Sequence, residues 1–164
     1  MKLRAYQPET DFAQLVSWVP DSRTHALWCA NRIPSPLQVD SFHAALRLDA
    51  REWGSRAYVV EEDGALCGFL VYACNAESRD GFLKFVLLDP AKRGQGKGTE
   101  MICLLLEQAF AQTETGCIHL NVFDVNTVAI RCYEKAGFVQ ESLQEAAFPF
   151  GSECWGRCHM VARK

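Results

Sequence analysis

Residues 93–98 are Arg93-Gly94-Gln95-Gly96-Lys97-Gly98, and this glycine-rich segment is the most informative motif of the sequence. An almost wholly apolar segment follows over residues 99–110, and its length predicts a buried helix of about three turns. Glycines allow a backbone to turn until its amides converge, and a helix that starts there adds free N–H groups and a positive dipole end. The stretch therefore predicts a phosphate-binding loop, to which Arg93 and Lys97 add positive charge.

Two common phosphate-binding motifs do not fit this spacing. A Walker loop aligned on Gly96-Lys97 requires glycine at position 91 and serine or threonine at position 98, where the sequence has Ala91 and Gly98. A dinucleotide fingerprint requires a third glycine at the position of Thr99. The observed pattern is Gly-x-Gly-x-Gly, so neither motif explains the loop.

Strands and helices surround the loop on both sides. Residues 57–61 and 65–74 predict two strands joined by a hairpin turn at Asp63-Gly64, and residues 82–88 predict a third strand. After the buried helix, the sequence predicts a strand over 118–123, a short helix between the caps Asn126 and Gly137, and a last strand over 153–161. The residues before position 55 have helical patterns, so the chain alternates between the two kinds of element.

Length and composition restrict the class of protein. A chain of 164 residues with 49% apolar residues predicts a single domain over residues 1–164. A net charge of −3 argues against an electrostatic nucleic-acid binder. No stretch approaches the ~20 apolar residues of a membrane span, and the first residues do not have the pattern of a signal peptide. We therefore expect a cytoplasmic protein that binds neither nucleic acid nor membrane.

The eight cysteines are the unusual part of the composition. Most of them lie in apolar runs, where cysteine behaves as a small hydrophobe, so we expect free thiols. The sequence has no Cys-x-x-Cys pair, and its closest cluster is Cys154, Cys158 and His159. Strand alternation would point Cys158 and His159 to opposite faces, which is unsuitable for a tetrahedral metal. The sequence therefore predicts no metal site.

A second motif follows the loop after about 25 residues. It consists of Leu120-Asn121-Val122, Asn126, Ala129, Tyr133 and Gly137-Phe138. Together the two motifs resemble the GNAT family of N-acetyltransferases, whose acetyl-CoA loop has the form Gln/Arg-x-x-Gly-x-Gly/Ala, which Arg93, Gly96 and Gly98 fit. The match extends over residues 57–138 and looks like the branch that includes ribosomal-protein N-terminal acetyltransferases.

This resemblance implies an α/β (α+β) fold with a central, mostly antiparallel mixed sheet of six to seven strands flanked by about four helices. Residues 1–54 would form a helical acceptor side, residues 55–138 the acetyl-CoA-binding core and residues 139–164 the C-terminal strands. The implied enzyme transfers an acetyl group directly from acetyl-CoA, without a metal, to a primary amine of a small molecule or a peptide N-terminus. A monomer or a homodimer is expected.

The resemblance also assigns roles to residues. The backbone amides of residues 93–98 would bind the CoA pyrophosphate, and Leu87 and Leu88 would offer backbone groups to the pantetheine arm and the acetyl carbonyl. Asn126 would contact the pantetheine arm, and Tyr133 would be the catalytic general acid that protonates the departing thiolate. The complete cofactor-binding set is Leu87, Leu88, Arg93, Gly94, Gln95, Gly96, Lys97, Gly98, Thr99, Asn126, Ala129 and Tyr133.

A general base is not evident in the sequence. Lys84 stands where family members often have a carboxylate, while His119 and Asn121 share a strand face that could border the site, and Glu153 is a further candidate. Cys132 precedes Tyr133 and is a candidate reactive thiol. The residues that could line an acceptor pocket are Trp28, Trp53, Phe148 and Phe150.

Two other functions stay open at this point. One is a non-catalytic module of the same fold that senses CoA or pairs with a catalytic partner. The other is an unrelated nucleotide binder that uses the same loop. The charge of the acceptor pocket would distinguish between substrates, because an acidic pocket implies a cationic amine and an open groove implies a peptide.

Overall fold

The structure is a computed structural model that describes residues 1–75, 77–112 and 115–164. Seven strands form one sheet: β1 (Lys2–Ala5), β2 (Arg56–Glu62), β3 (Ala65–Cys74), β4 (Gly81–Leu88), β5 (Cys117–Phe123), β6 (Val139–Phe150) and β7 (Glu153–Arg163). The helices of the described ranges are α1 (Pro8–Ser17), α2 (Ser22–Cys29), α3 (Val39–Trp53), α4 (Lys97–Gln112) and α5 (Thr127–Lys135), with a 3-10 turn at Pro90–Lys92. The predicted fold class is confirmed, with one helix more than expected. None of the helices in these ranges is long and apolar enough to cross a membrane.

The first four strands form an antiparallel meander. The turn between β2 and β3 contains Asp63 and Gly64 with φ of +52° and +80°. A two-residue hairpin turn of this kind matches the right-handed twist of its strands, and Asp-Gly is a preferred sequence for it. The hairpin predicted from the sequence is therefore confirmed.

The sheet is split between β4 and β5. Among the residues that the structure describes, these parallel strands pair only at Gly81–Ile118 and Phe82–His119, near their N-terminal ends. Beyond those pairs β4 stays with β3, while β5 pairs with β7 along its whole length, and the sheet order is β1-β2-β3-β4-β5-β7-β6. The two strands consequently part toward their carboxyl ends, which opens a cleft in the middle of the sheet.

Apolar side chains cover both faces of the sheet. Met101 of α4 packs in one cluster with Leu70 of β3, and Phe42 of α3 packs in a second cluster with Phe69 of the same strand. Because neighbouring residues of a strand point to opposite faces, Phe69 contributes to the apolar cluster on one face of the sheet and Leu70 to the cluster on the other. Helices α4 and α5 cover the first face, and α1 to α3 cover the second over the meander.

A buried ion pair fixes α1 to β1. The guanidinium of Arg4 donates to both carboxylate oxygens of Asp11 at 2.7 and 2.8 Å and to Glu61 at 2.6 Å. The backbone N–H of Gln7 also donates to Asp11, at 2.7 Å, which satisfies an amide at the start of the helix. The side chain of Asp11 is only 1% exposed, so this carboxylate depends on its partners for solvation.

Candidate active site

A cavity of about 600 Å³ occupies the cleft between β4 and β5. Its size is within the roughly 300–1,000 Å³ that small-molecule sites typically have. Most of the residues that the sequence predicts for acetyl-CoA line it, namely Leu87, Leu88, Arg93, Gly94, Gly96, Gly98, Thr99, Asn126, Ala129 and Tyr133. The structure therefore brings together, at one cleft, the loop, the end of β4 and one face of α5.

The loop between β4 and α4 has the conformation that its glycines predict. Gly94 and Gly96 have φ of +73° and +78°, in the left-handed region that glycine adopts without steric cost. The N–H of Glu100 donates to the carbonyl of Gly96 at 3.1 Å, which marks the first turn of α4. The amides just before Glu100 lack an intrahelical acceptor by geometry, so they are available to a phosphate group.

Two side chains of the loop have partners within the protein. Lys97 forms an ion pair with Glu62, whose hydrogen bond raises the pKa of Lys97 above its ordinary value. The amide of Gln95 donates to the carbonyl of Ala91 at 2.8 Å. Neither of these two residues lines the cavity, whereas Arg93 does. The side chains at 95 and 97 therefore contact the protein, which leaves their backbone amides for a ligand.

A bulge interrupts β4 where it borders the cleft. Phe69 of β3 pairs with Leu87 while Val71 pairs with Lys84, so β4 carries one extra residue between these pairs. Phe85 in the bulge has φ of +49°, which costs a non-glycine residue roughly 1–3 kcal/mol. A bulge turns backbone groups out of the ladder, so this one can direct an amide toward a ligand in the cleft.

Trp28 of α2 contacts this bulge directly. Its indole Nε1 donates a 2.8 Å hydrogen bond to the backbone carbonyl of Phe85. The ring is 8% exposed, stacks on Phe42 with a centroid distance of 6.1 Å and lines the cavity. The N-terminal helices thus hold the conformation of the strand that borders the cleft.

Tyr133 projects from α5 into the same cavity. Asn126 caps this helix by accepting a 3.3 Å hydrogen bond from the N–H of Ala129, as the sequence predicts. Tyr133 is buried, and its burial raises the pKa of the phenol well above its ordinary value. Tyr133 is nevertheless one of the residues that line the cavity.

Cys132 lies where α4 and α5 meet. Its sulfur accepts a 3.6 Å hydrogen bond from Thr99, and a Cβ added to Gly98 would lie only 3.1 Å from it. Glycine at position 98 therefore permits this close approach. Burial raises the pKa of the Cys132 thiol, which keeps it protonated and lowers its reactivity.

A second cavity, of about 400 Å³, adjoins the first and shares Trp28, Phe85 and Asn121 with it. Phe148 lines it as well. The other two aromatic residues of the predicted acceptor pocket lie elsewhere: the ring of Trp53 is 59% exposed, and that of Phe150 stacks on Trp155 with a centroid distance of 4.5 Å. Of the four aromatic residues that the sequence predicts for an acceptor pocket, Trp28 and Phe148 therefore line the second cavity, and Trp53 and Phe150 do not.

Basic residues account for the charge of both cavities. The second cavity is bordered by Arg32, Lys84 and Arg157, and the first by Lys84 together with Arg93, Arg131 and Lys135. Lys84 donates to Asp49 at 2.6 Å and to Ser55 at 3.0 Å, so its ammonium group is engaged within the protein. Among the described lining residues of both cavities there is no carboxylate and no histidine.

The other candidates for a general base, His119 and Glu153, line neither cavity. His119 does not line either cavity and lies 3.2 Å from the sulfur of Cys117, near the start of β5. Glu153 receives hydrogen bonds of 2.5 and 3.1 Å from Arg23. Of the two residues that share the face of β5, only Asn121 borders the cleft.

The acetyltransferase (GNAT) family model matches residues 18–138 of the chain. The protein therefore belongs to this family and is an N-acetyltransferase by class. The match includes the loop, the bulged strand and α5, which together surround the cavity described above.

The individual proteins that resemble this chain have low sequence identity to it. An aminoglycoside N(6')-acetyltransferase type 1 from Klebsiella pneumoniae is 26% identical over 145 residues, which cover 81% of this chain and 71% of that protein. A spermidine N-acetyltransferase from Vibrio cholerae, solved with CoA and spermine, is 20% identical with a TM-score of 0.83 and covers 99% of this chain and 94% of that one. A ribosomal-protein-alanine N-acetyltransferase from Brucella melitensis is 18% identical with a TM-score of 0.77 and full coverage of both chains, 100% each. The structural similarities establish the shared fold.

Several residues of the site were not found by sequence reasoning. The bulge at Phe85 and the hydrogen bond from Trp28 depend on the register of two strands and on packing between distant segments. Arg32 and Arg157 lie at the end of α2 and on β7, where a charged residue has no distinguishing local pattern. A basic residue that alternates with apolar ones, as Arg157 does on β7, is the only signal that the sequence offers.

Proposed function

We propose that this protein transfers the acetyl group of acetyl-CoA to a primary amine, with Tyr133 as the general acid. The observation that carries the proposal is that one cavity is lined by the glycine loop, the bulged strand and the phenol of Tyr133. A pyrophosphate on the loop amides and a thioester beside the bulge would bring the sulfur near Tyr133. Basic lining residues would also favour a polyanionic co-substrate.

The reaction needs few groups beyond this arrangement. The lone pair of the amine nitrogen attacks the acetyl carbonyl carbon, and a backbone N–H at the bulge of β4 stabilises the oxyanion that forms. The C–S bond then breaks, and the hydroxyl of Tyr133 gives its proton to the departing sulfur. The nitrogen loses one proton to solvent, from which Tyr133 regains its own, so the products are the amide and free CoA.

The acceptor amine must arrive largely unprotonated, because the described lining residues of the cavities supply no base. An α-amino group has a pKa near 7.7–8.0, whereas an alkyl amine such as that of lysine has a pKa of about 10.4. Only the α-amino group is substantially neutral near pH 8. The pocket thus favours acceptors whose amine is weakly basic.

Charge points to the same class of acceptor. Arg32 and Arg157 border the second cavity, where they would repel a polycation and attract a carboxylate. We therefore assign the acceptor as the α-amino group of an amino acid or of a peptide N-terminus. A polyamine or an aminoglycoside is the second candidate, and it is favoured by what the relatives named above act on.

Release of CoA thiol with a panel of amines tests this assignment. Amino acids and short peptides should be acetylated with kcat/KM at least about tenfold above spermidine or an aminoglycoside, which corresponds to about 1.4 kcal/mol. The variant Arg157→Gln should lose most of this preference, while the exposed Arg47→Gln on α3 should keep it. A preference for polycations would favour the second candidate. Tight acetyl-CoA binding without turnover of any amine would instead indicate a non-catalytic CoA-binding module.

A further inference from the structure

A second cluster of chemically active side chains lies at the other end of the split, where β4 and β5 begin. Asp80 precedes β4, while Cys117 and His119 are alternate residues of β5 and so share a sheet face. The thiol of Cys117 donates to a carboxylate oxygen of Asp80 at 3.0 Å, and Nε2 of His119 lies 3.2 Å from the same sulfur. An oxygen, a sulfur and a nitrogen thus lie within 4.8 Å of one another on half-buried residues.

This geometry is close to that of a tetrahedral zinc site. Zinc binds sulfur at about 2.3 Å and nitrogen or oxygen at about 2.0–2.2 Å, so its ligand atoms lie roughly 3.4–3.6 Å apart. The two contacts made by the Cys117 sulfur would have to open by only about half an ångström, and the Asp80 oxygen and the His119 nitrogen lie within 4.8 Å of each other. All three residues are partly exposed, so their side chains have room to rotate.

A fourth residue orients the histidine. Nδ1 of His119 lies 3.1 Å from Nε2 of His159, and the planes of the two rings are nearly parallel, with an interplanar angle of 3°. A proton on Nδ1 of His119 that is donated to His159 leaves the lone pair of Nε2 directed toward the sulfur of Cys117. Metal-binding histidines commonly have such a partner on the other ring nitrogen, because it fixes the tautomer and the ring orientation.

We propose that Asp80, Cys117 and His119 form a Zn²⁺ site whose fourth ligand is water. The thiolate excludes calcium and magnesium, which select oxygen ligands, and the mixture of sulfur, nitrogen and oxygen suits zinc. The sequence predicts no metal because Asp80 and Cys117 are 37 positions apart and only strand pairing brings them together.

The position of the site indicates what it does. The ion would join β4 to β5 beside the pairs Gly81–Ile118 and Phe82–His119. Asn121, which borders the cleft, is two residues or about 6.6 Å along β5 from His119, and none of Asp80, Cys117 and His119 lines either cavity. Zinc would therefore stabilise the base of the split without taking part in acetyl transfer.

The test uses the untagged full-length protein, freed of metal with a chelator and titrated with ZnCl2. One equivalent should bind, and the melting temperature should rise by about 5 °C at a hundredfold excess over Kd. Co²⁺ in place of zinc should produce a thiolate-to-cobalt charge-transfer band in the near ultraviolet. MgCl2 should have neither effect.

Variants make the assignment specific. Cys117→Ser and His119→Gln should abolish the rise in melting temperature and the cobalt band, while Cys154→Ser, which alters an exposed cysteine on β7, should leave both intact. If a variant does not fold, the cobalt band of the unaltered protein decides, since its absence would refute a thiolate ligand. Zinc binding that survives in folded Cys117→Ser would equally overturn the site. None of these readouts depends on acetyl transfer.

Discussion

The indole nitrogen of Trp28 donates a 2.8 Å hydrogen bond to the carbonyl of Phe85, and this contact joins the N-terminal helices to the strand at the catalytic cleft. Phe85 is the bulge residue with a left-handed backbone, a conformation that needs support from its surroundings. Trp28 also borders both cavities. One side chain therefore supports the bulge and also forms part of the wall of both cavities.

We expect Trp28→Phe to reduce kcat by roughly 3- to 10-fold, which corresponds to the 0.5–1.5 kcal/mol of one hydrogen bond. The phenyl ring keeps most of the packing, so the bulge loses its donor while the core remains filled. Because Trp28 acts through Phe85, KM for acetyl-CoA should change less than kcat. Trp53→Phe is the matched control, since that indole is 59% exposed. Equal kcat values for both variants would show that the hydrogen bond does not position the bulge.

Tyr133→Phe should lower kcat by at least about tenfold and by no more than the roughly 10⁴-fold that general acid catalysis supplies. The affinity for acetyl-CoA should change little, because the ring remains and only the hydroxyl is removed. Steady-state kinetics and calorimetric titration with acetyl-CoA measure the two quantities separately. Tyr58→Phe, a partly buried tyrosine of β2 that lines neither cavity, is the control. If Tyr133→Phe retains full kcat, the thiolate takes its proton from solvent.

The rate of acetyl transfer should rise with pH and then stay level. Burial raises the pKa of Tyr133, and the protonated phenol is the catalytic form, so the acid remains competent through about pH 10. The rising limb then reports only the deprotonation of the acceptor amine. Initial rates between pH 6 and about pH 10, at saturating acetyl-CoA, measure this. If the rate instead falls below pH 9, and this fall disappears in Tyr133→Phe, the phenol loses its proton at a lower pH than expected.

The sequence predicts those parts of the site that have a local cause. Glycine spacing predicts the loop, Asp63-Gly64 predicts the hairpin, and the cap at Asn126 predicts the start of α5, because each needs only neighbouring residues. The bulge at Phe85 comes from the register between β3 and β4, which no short segment determines. Strand alternation correctly places His119 and Asn121 on one face. It does not show that two residues of strand, about 6.6 Å, separate His119 from the cleft.

Acid should remove the stabilisation provided by Asp11. Burial alone would raise the pKa of this carboxyl, but the hydrogen bonds from Arg4 and the amide of Gln7 lower it below its ordinary value. A lowered folded-state pKa gives stability that is present above about pH 4 and is lost as the pH falls through the folded value. Asp11→Asn should cost roughly 1.5–3 kcal/mol at pH 7, with a smaller difference near pH 3.

Urea unfolding of Asp11→Asn and of the unaltered protein across this range measures that difference. Asp40→Asn, on an exposed residue of α3, should leave stability nearly unchanged at every pH. If the loss in free energy of unfolding caused by Asp11→Asn does not depend on pH, the ion pair between Asp11 and Arg4 contributes to stability through packing alone.

Gly96→Ala and Gly64→Ala form a matched pair of variants. Gly96 and Gly64 have nearly equal φ, +78° and +80°, and a Cβ added to either would meet no atom within 4 Å. Both variants should therefore lose a similar roughly 1–2 kcal/mol of stability from the left-handed backbone. Only Gly96 lines the cavity, so only Gly96→Ala should weaken acetyl-CoA binding, because its methyl group stands where the pyrophosphate approaches the loop amides. Calorimetric titration with acetyl-CoA, alongside the melting temperatures, separates the two effects. Equal losses of affinity in the two variants would show that strain, rather than contact with the ligand, accounts for the change.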